Sequence, residues 1–78
     1  MNYKDRIVSD HKIMLGKPVI KGTRITIEII LRKMAEGATA KDTLKMYPTL
    51  QLEDVMACLL YAADVIAKEE VIEISLAS

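Results

Sequence analysis

Gly16-Lys17-Pro18-Val19-Ile20-Lys21-Gly22-Thr23-Arg24-Ile25-Thr26 separates a short, polar, basic N-terminal segment from three helical patterns in a row. Pro18 lacks a backbone donor and fixes φ, which excludes a central sheet position there. Val19 and Ile20 are β-branched and favour an extended strand. Gly22 permits the positive φ of a tight reversal, and Thr23-Arg24-Ile25 reads as a short return strand. Thr26 stands where the helical period begins, and its hydroxyl can accept an N–H of the first turn. Strand, turn, strand and helix start are thus written in one run.

Upstream, Tyr3–Val8 suggests a further short strand, followed by a polar turn at Ser9-Asp10-His11-Lys12 and a brief apolar run, Ile13-Met14-Leu15. Downstream, Ile27, Ile30, Leu31 and Met34 follow the spacing of one buried helical face over about residues 27–36, with Gly37 as the stop signal. Glu28 precedes Arg32 by four residues, a favourable exposed pair. Thr39-Ala40-Lys41-Asp42 resembles a capping box with Asp in the third position. It opens a short second helix, about Ala40 to Met46, with Leu44 pointing inward and Tyr47 close behind. Pro48 ends it. The third helix begins near Leu50–Leu52, capped by Thr49 or Gln51, with Glu53 and Asp54 complementing the helix dipole. From Val55 to Ala67 its only charge is Asp64, and a helix apolar nearly all round needs cover on more than one side. After Lys68-Glu69-Glu70, the period-two residues Ile72, Ile74 and Leu76 mark a candidate edge strand.

Composition agrees with an interacting module. The chain has 78 residues, 51% of them hydrophobic, with five Met, no Phe and no Trp. So small a domain has little interior, and part of that apolar surface is expected against another chain. Net charge is zero but uneven: residues 1–34 carry eight Lys or Arg against three Asp or Glu, and residues 35–78 carry three against eight. This hints at a basic and an acidic face. Cys58, the one cysteine, reads as a buried small hydrophobe. Neither a signal-peptide core nor an apolar run of spanning length is present, so a cytoplasmic location is expected.

Enzyme chemistry is not expected. One His and one Cys supply no metal cluster, Ser9, Ser75 and Ser78 lack a nucleophile-elbow context, and the Gly16–Gly22 spacing lacks the lysine of a phosphate loop. Residues adjacent in sequence, Glu53/Asp54 and Glu69/Glu70, diverge on a helix and make poor acid–base pairs. The two helices joined by Tyr47-Pro48-Thr49-Leu50 have helix-turn-helix spacing, which generic helical hairpins share. The start of the second offers Glu53 and Asp54, which phosphates repel, and only Gln51 as a base reader. Candidate DNA contacts are therefore Lys12, Lys17, Lys21, Arg24, Arg32 and Lys33, with Gln51. Candidate dimer or partner contacts are Met56, Leu59, Leu60, Ala63 and Ile66 on the third helix, and Ile72, Ile74 and Leu76 in the tail.

The run 16–25 resembles the hallmark of the family called domain of unknown function 433. Ala35-Glu36-Gly37-Ala38-Thr39, Tyr47-Pro48 with Leu50, Leu52-Glu53-Asp54-Val55 and Leu60-Tyr61-Ala62-Ala63 fit its later pattern, so the resemblance covers roughly residues 6–72. His11 stands where that family often has Pro, and Gln51 where Thr or Ser is usual. The resemblance implies a homeodomain-like three-helix fold with an N-terminal β element. It also implies an antitoxin role in two-gene toxin–antitoxin modules, the usual partner being a small PIN-like ribonuclease, and supplies no catalytic residues.

The expectation is one mainly α domain over 1–78: a β-hairpin element over 3–25, a three-helix, helix-turn-helix core over 26–68, and a strand-like tail over 69–78. Its expected function is that of an antitoxin: a cytoplasmic homodimer that neutralises a PIN-like ribonuclease and represses its own promoter at operator DNA, without cofactor, metal or membrane. The alternatives are a stand-alone DNA-binding regulator and a protein-interaction module with no nucleic-acid role.

Overall fold

Thr26 joins the β element to the helices. Its backbone is extended and forms an antiparallel bridge with Val19, while its hydroxyl accepts the Ile29 N–H at 3.1 Å. That bond caps the first helix, a contribution of about 1 kcal/mol. In this computed structural model, which describes residues 3–69, three helices follow: α1 (Ile27–Ala35), α2 (Ala40–Met46) and α3 (Leu52–Glu69). Two short strands precede them, β1 (Ile7–Val8) and β2 (Val19–Ile20). The chain is therefore mainly helical with an antiparallel β-hairpin at its N-terminal end. The predicted tail strand lies outside the described residues.

The sequence predicts a return strand over Thr23–Ile25; the structure has a turn there, and the chain rejoins β2 only at its end, where the Ile20 N–H donates to the Ile25 carbonyl at 3.0 Å and Thr26 bridges Val19. The strand paired with β2 is β1, with Ile7 opposite Ile20 and Val8 opposite Val19. Thr23 explains the difference. Its hydroxyl donates to the Ile20 carbonyl at 2.7 Å and accepts the Ile25 N–H at 3.0 Å, curling the chain too tightly for a ladder. Gly22 takes φ 81° in that turn, the left-handed conformation expected of it. The predicted strand over Tyr3–Val8 is likewise shortened to β1, because Tyr3–Asp5 forms a turn of 3-10 helix.

Local chemistry ends and starts the helices as expected. At the end of α1, the Gly37 N–H donates to the Met34 carbonyl and the Ala38 N–H to that of Lys33, both at 3.0 Å, with Gly37 at φ 110°. This is the left-handed glycine stop in its two-bond form. The Thr39 hydroxyl accepts the Asp42 N–H at 3.0 Å and the Asp42 carboxylate accepts the Thr39 N–H at 2.9 Å, a complete capping box for α2. Leu44 is only half-buried; the residue α2 fully buries is Thr43, whose hydroxyl donates to the Thr39 carbonyl at 3.0 Å. A buried hydroxyl is tolerated because that bond satisfies it.

α3 packs against α1, α2 and the N-terminal turn. Ile20, Ile27, Ile30, Leu50 and Cys58 form the centre of the core, with Ile7, Ile25, Met34, Leu44, Tyr47 and Tyr61 packed around it. The centre is aliphatic apart from Cys58, and both strands and all three helices contribute side chains to it or around it.

Candidate interaction surfaces

α3 has two unlike sides. Asp54, Val55, Ala57 and Cys58 are buried, whereas Leu52, Met56, Leu59, Leu60, Val65 and Ile66 are exposed, Ile66 by 63%. Burial pushes the Cys58 thiol up to about 12, with the Asp54 charge adding to the shift, so the sulfur stays protonated and inert.

Between α1 and α3 runs an open groove of about 580 Å³. One wall is Ile27, Leu31 and Ala35 and the other is Tyr61, Val65 and Ile66, with Pro18 at its edge. Glu28 and Arg32 stand among the lining residues and join at 3.1 Å, and Lys17 reaches the same carboxylate at 3.2 Å. Arg32 first, then Lys17, holds the Glu28 carboxyl below its usual value. An apolar floor edged by charge is the anatomy of a protein-binding patch.

The N-terminal segment anchors α3. Arg6 Nη1 meets Asp54 Oδ1 at 2.9 Å, with side chains 31% and 10% exposed. The other Asp54 oxygen accepts the Gln51 N–H at 2.8 Å, and Arg6 also reaches Gln51 Oε1 at 3.4 Å. Asp54 therefore replaces the side-chain cap that Gln51 does not supply. It is not the outward acid that the sequence suggests; Glu53 alone keeps that role. Farther along, the Tyr3 hydroxyl donates to Asp64 Oδ2 at 2.7 Å, and its ring meets Tyr61 edge-on at 6.0 Å between centroids. The Asp64 hydrogen bond, with smaller contributions from desolvation and charge, raises the Tyr3 phenol. These pairings cross most of the chain length and have no local sequence signature; an acid at the third position of a helix with a poor cap was the one available hint.

The candidate DNA contacts fall into separate groups. Lys17 and Arg32 converge on Glu28. Lys21 and Arg24 are exposed in the turn after β2, and Lys21 lines a small depression with Asp5, Arg6 and Asp54. Lys12 is exposed in the turn before β2, Lys33 is half-buried on α1, and Gln51 is engaged with Arg6. Around the start of α3 the exposed side chains are Gln51, Leu52, Glu53 and Met56. The candidate interface residues Met56, Leu59, Leu60, Ala63 and Ile66 are all exposed on α3; Ile72, Ile74 and Leu76 lie outside the described residues.

The brief apolar run Ile13-Met14-Leu15 forms an exposed knuckle before β2. Met14, Leu15 and Gly16 have φ of 49°, 58° and 85° in succession, and Leu15 is 89% exposed. Among the described residues no helix is long and apolar enough to cross a membrane.

The profile of DUF433, described as a protein of unknown function, matches residues 7–62, and the chain belongs to that family. It is also similar to an uncharacterized protein of Archaeoglobus fulgidus, 57% identical over 28 residues, which cover 36% of this chain and 78% of that protein. No solved structure matches it.

Proposed function

We infer that this protein works by binding another protein: it is an antitoxin of the cytoplasm that holds a small PIN-like ribonuclease inactive. The observation that carries the binding role is the groove between α1 and α3, an apolar trough left open in the single chain. The nuclease partner rests on the resemblance of residues 16–25 and the later motifs to antitoxins of two-gene modules. An apolar segment of the nuclease suits the trough, and the Lys17–Glu28–Arg32 cluster beside it, two cations on one carboxylate, keeps one positive charge in excess toward the acidic surroundings of a metal-dependent nuclease site.

DNA recognition by α3 is a weaker reading. Leu52, Glu53 and Met56 at its start present neither the donors that read base edges nor charge that phosphates attract.

The test is co-expression of this chain with the adjacent reading frame. A PIN-like product that co-elutes with this chain and regains RNA cleavage when this chain carries Val65→Asp is the expected outcome. A neighbour without a nuclease fold, or a nuclease fully active in the presence of excess of this chain, refutes the reading.

A further inference from the structure

The exposed apolar residues of α3 are ordered. Leu52, Met56, Leu59, Ala63 and Ile66 recur at alternating intervals of four and three residues, and all five are exposed. At the helical repeat they lie within about 80° of arc. They are centred roughly 140° round the helix from the side that packs on α1 and α2. A stripe of this period is the seam of a left-handed coiled coil, and the surface that matches it is another helix of the same period. Neither a sheet edge nor a phosphate backbone selects that spacing.

We propose that α3 pairs with α3 of a second copy of this chain, antiparallel, about a two-fold axis through Leu59. Leu59 is the midpoint of the stripe, so both ends are self-complementary about it, as a two-fold interface requires. Antiparallel pairing sets Leu52 of one copy against Ile66 of the other, and Met56 against Ala63, large against small. Parallel pairing stacks Ala63 on Ala63 and leaves a gap, which close packing penalises. It also brings the exposed acid Glu53 beside itself, whereas the antiparallel arrangement separates the two copies of that residue and opposes the helix dipoles. Leu60, next to the stripe, then comes from both copies to close over the centre.

This interface uses a different side of α3 from most of the groove and requires no nuclease, so it stands or falls separately from the proposed function. It has one consequence for that question: with Leu52 and Met56 covered, the start of α3 is closed to a DNA groove.

The full chain alone is the test material. Light scattering on the eluting peak at high micromolar concentration is expected to give twice the 8.7 kDa of one chain. Leu59→Asp is expected to weaken association by about 100-fold or more, since it places an unpaired charge at the centre of the seam, with an unchanged helical circular dichroism spectrum. Under oxidising conditions Leu59→Cys is expected to cross-link to itself, because the two copies meet on the axis. Leu52→Cys is expected not to, because antiparallel pairing keeps the two positions about 21 Å apart along the helices. A monomer for the unaltered chain, or a Leu59→Asp protein that remains dimeric, overturns the proposal. Self-cross-linking at both positions overturns the antiparallel arrangement.

Discussion

The two sides of α3 are built from nearly the same residue types and have opposite fates. The inward side, Val55, Ala57 and Cys58, is fully buried where α3 meets α1, α2 and the N-terminal turn. The outward side, Leu52, Met56, Leu59 and Leu60, is larger in side-chain volume and remains about half exposed. What separates them is polar. Asp54 and Asp64 are the two acids that the N-terminal segment grips, through Arg6 and Tyr3, and those grips orient the helix. The lesson is that most of the exposed apolar surface among the described residues is concentrated: apart from Met14, Leu15 and Met46, the exposed large apolar side chains lie on α3, along one stripe and in the adjoining groove, where a second surface can use them.

The sharpest way to break this contrast is to truncate one residue on each side. Val55→Ala removes two methylenes at about 0.8 kcal/mol each and leaves a cavity, so a loss of about 2 kcal/mol or slightly more is expected. In a domain this small that lowers the melting temperature by roughly 10 °C. Leu59→Ala, measured at a concentration where the chain is monomeric, is expected to stay within about 0.5 kcal/mol of the parent. Urea unfolding of both variants is the check; equal losses would mean that the outward stripe belongs to the core after all.

Next in size is the grip itself. Arg6→Ala leaves the Asp54 carboxylate nearly buried with only the Gln51 N–H as partner. Because Arg6 is about a third exposed, the full cost of a broken buried pair is discounted, to about 1–2 kcal/mol. Arg6→Lys should recover only part of it, since Nη1 at the end of the guanidinium makes both contacts, to Asp54 and to Gln51, and the shorter lysine does not reach as far. If Arg6→Ala is neutral in thermal unfolding, the orientation of α3 owes nothing to this pair.

How much of this was legible in the sequence divides along the same line. The Thr26 cap, the Thr39–Asp42 box, the Gly22 turn and the Gly37 stop depend on residues within a few positions of one another, and the pattern of residue types identifies them. The ladder partner of β2 was not legible, because Thr23–Ile25 and Ile7–Val8 are both short and close enough to pair. Ile7–Val8 forms the ladder, while a hydroxyl at Thr23 closes its own turn and leaves the return only the bridge of Thr26 to Val19. The Arg6–Asp54 pair spans 48 positions, and nothing in either neighbourhood announces it. The apolar excess of the third helix was plain; the groove and the two sides of α3 needed the packing of α1 against it.

The knuckle before β2 offers a smaller effect with the opposite sign. Leu15 is left-handed and almost fully exposed, a conformation that costs an L-residue roughly 1–2 kcal/mol. Leu15→Gly removes that strain and loses little packing, while the added freedom of the unfolded chain returns about 0.5–1 kcal/mol. A net stabilisation of about 0.5–1 kcal/mol is expected from urea titration. A loss instead would show that Leu15 contributes contacts worth more than its backbone strain.

The smallest effect concerns the acid limb of stability. The Asp42 carboxyl is held below its usual value chiefly by the Thr39 backbone N–H, with the Thr39 hydroxyl region and Lys45 contributing less. Since the folded-state pKa is the lower one, its contribution is fully present above the unfolded value of about 3.9. It is lost as pH falls through the depressed folded value. Asp42→Asn keeps an acceptor for the Thr39 N–H but has no charge to lose. The parent is therefore expected to exceed Asp42→Asn in melting temperature at neutral pH, and the gap to shrink as pH falls below about 4. Glu28 titrates in both proteins and cancels in the difference. A gap that is constant from neutral to acid pH would assign the box to hydrogen bonding alone and remove its electrostatic part, leaving the grip on α3 as the charge interaction that matters to this fold.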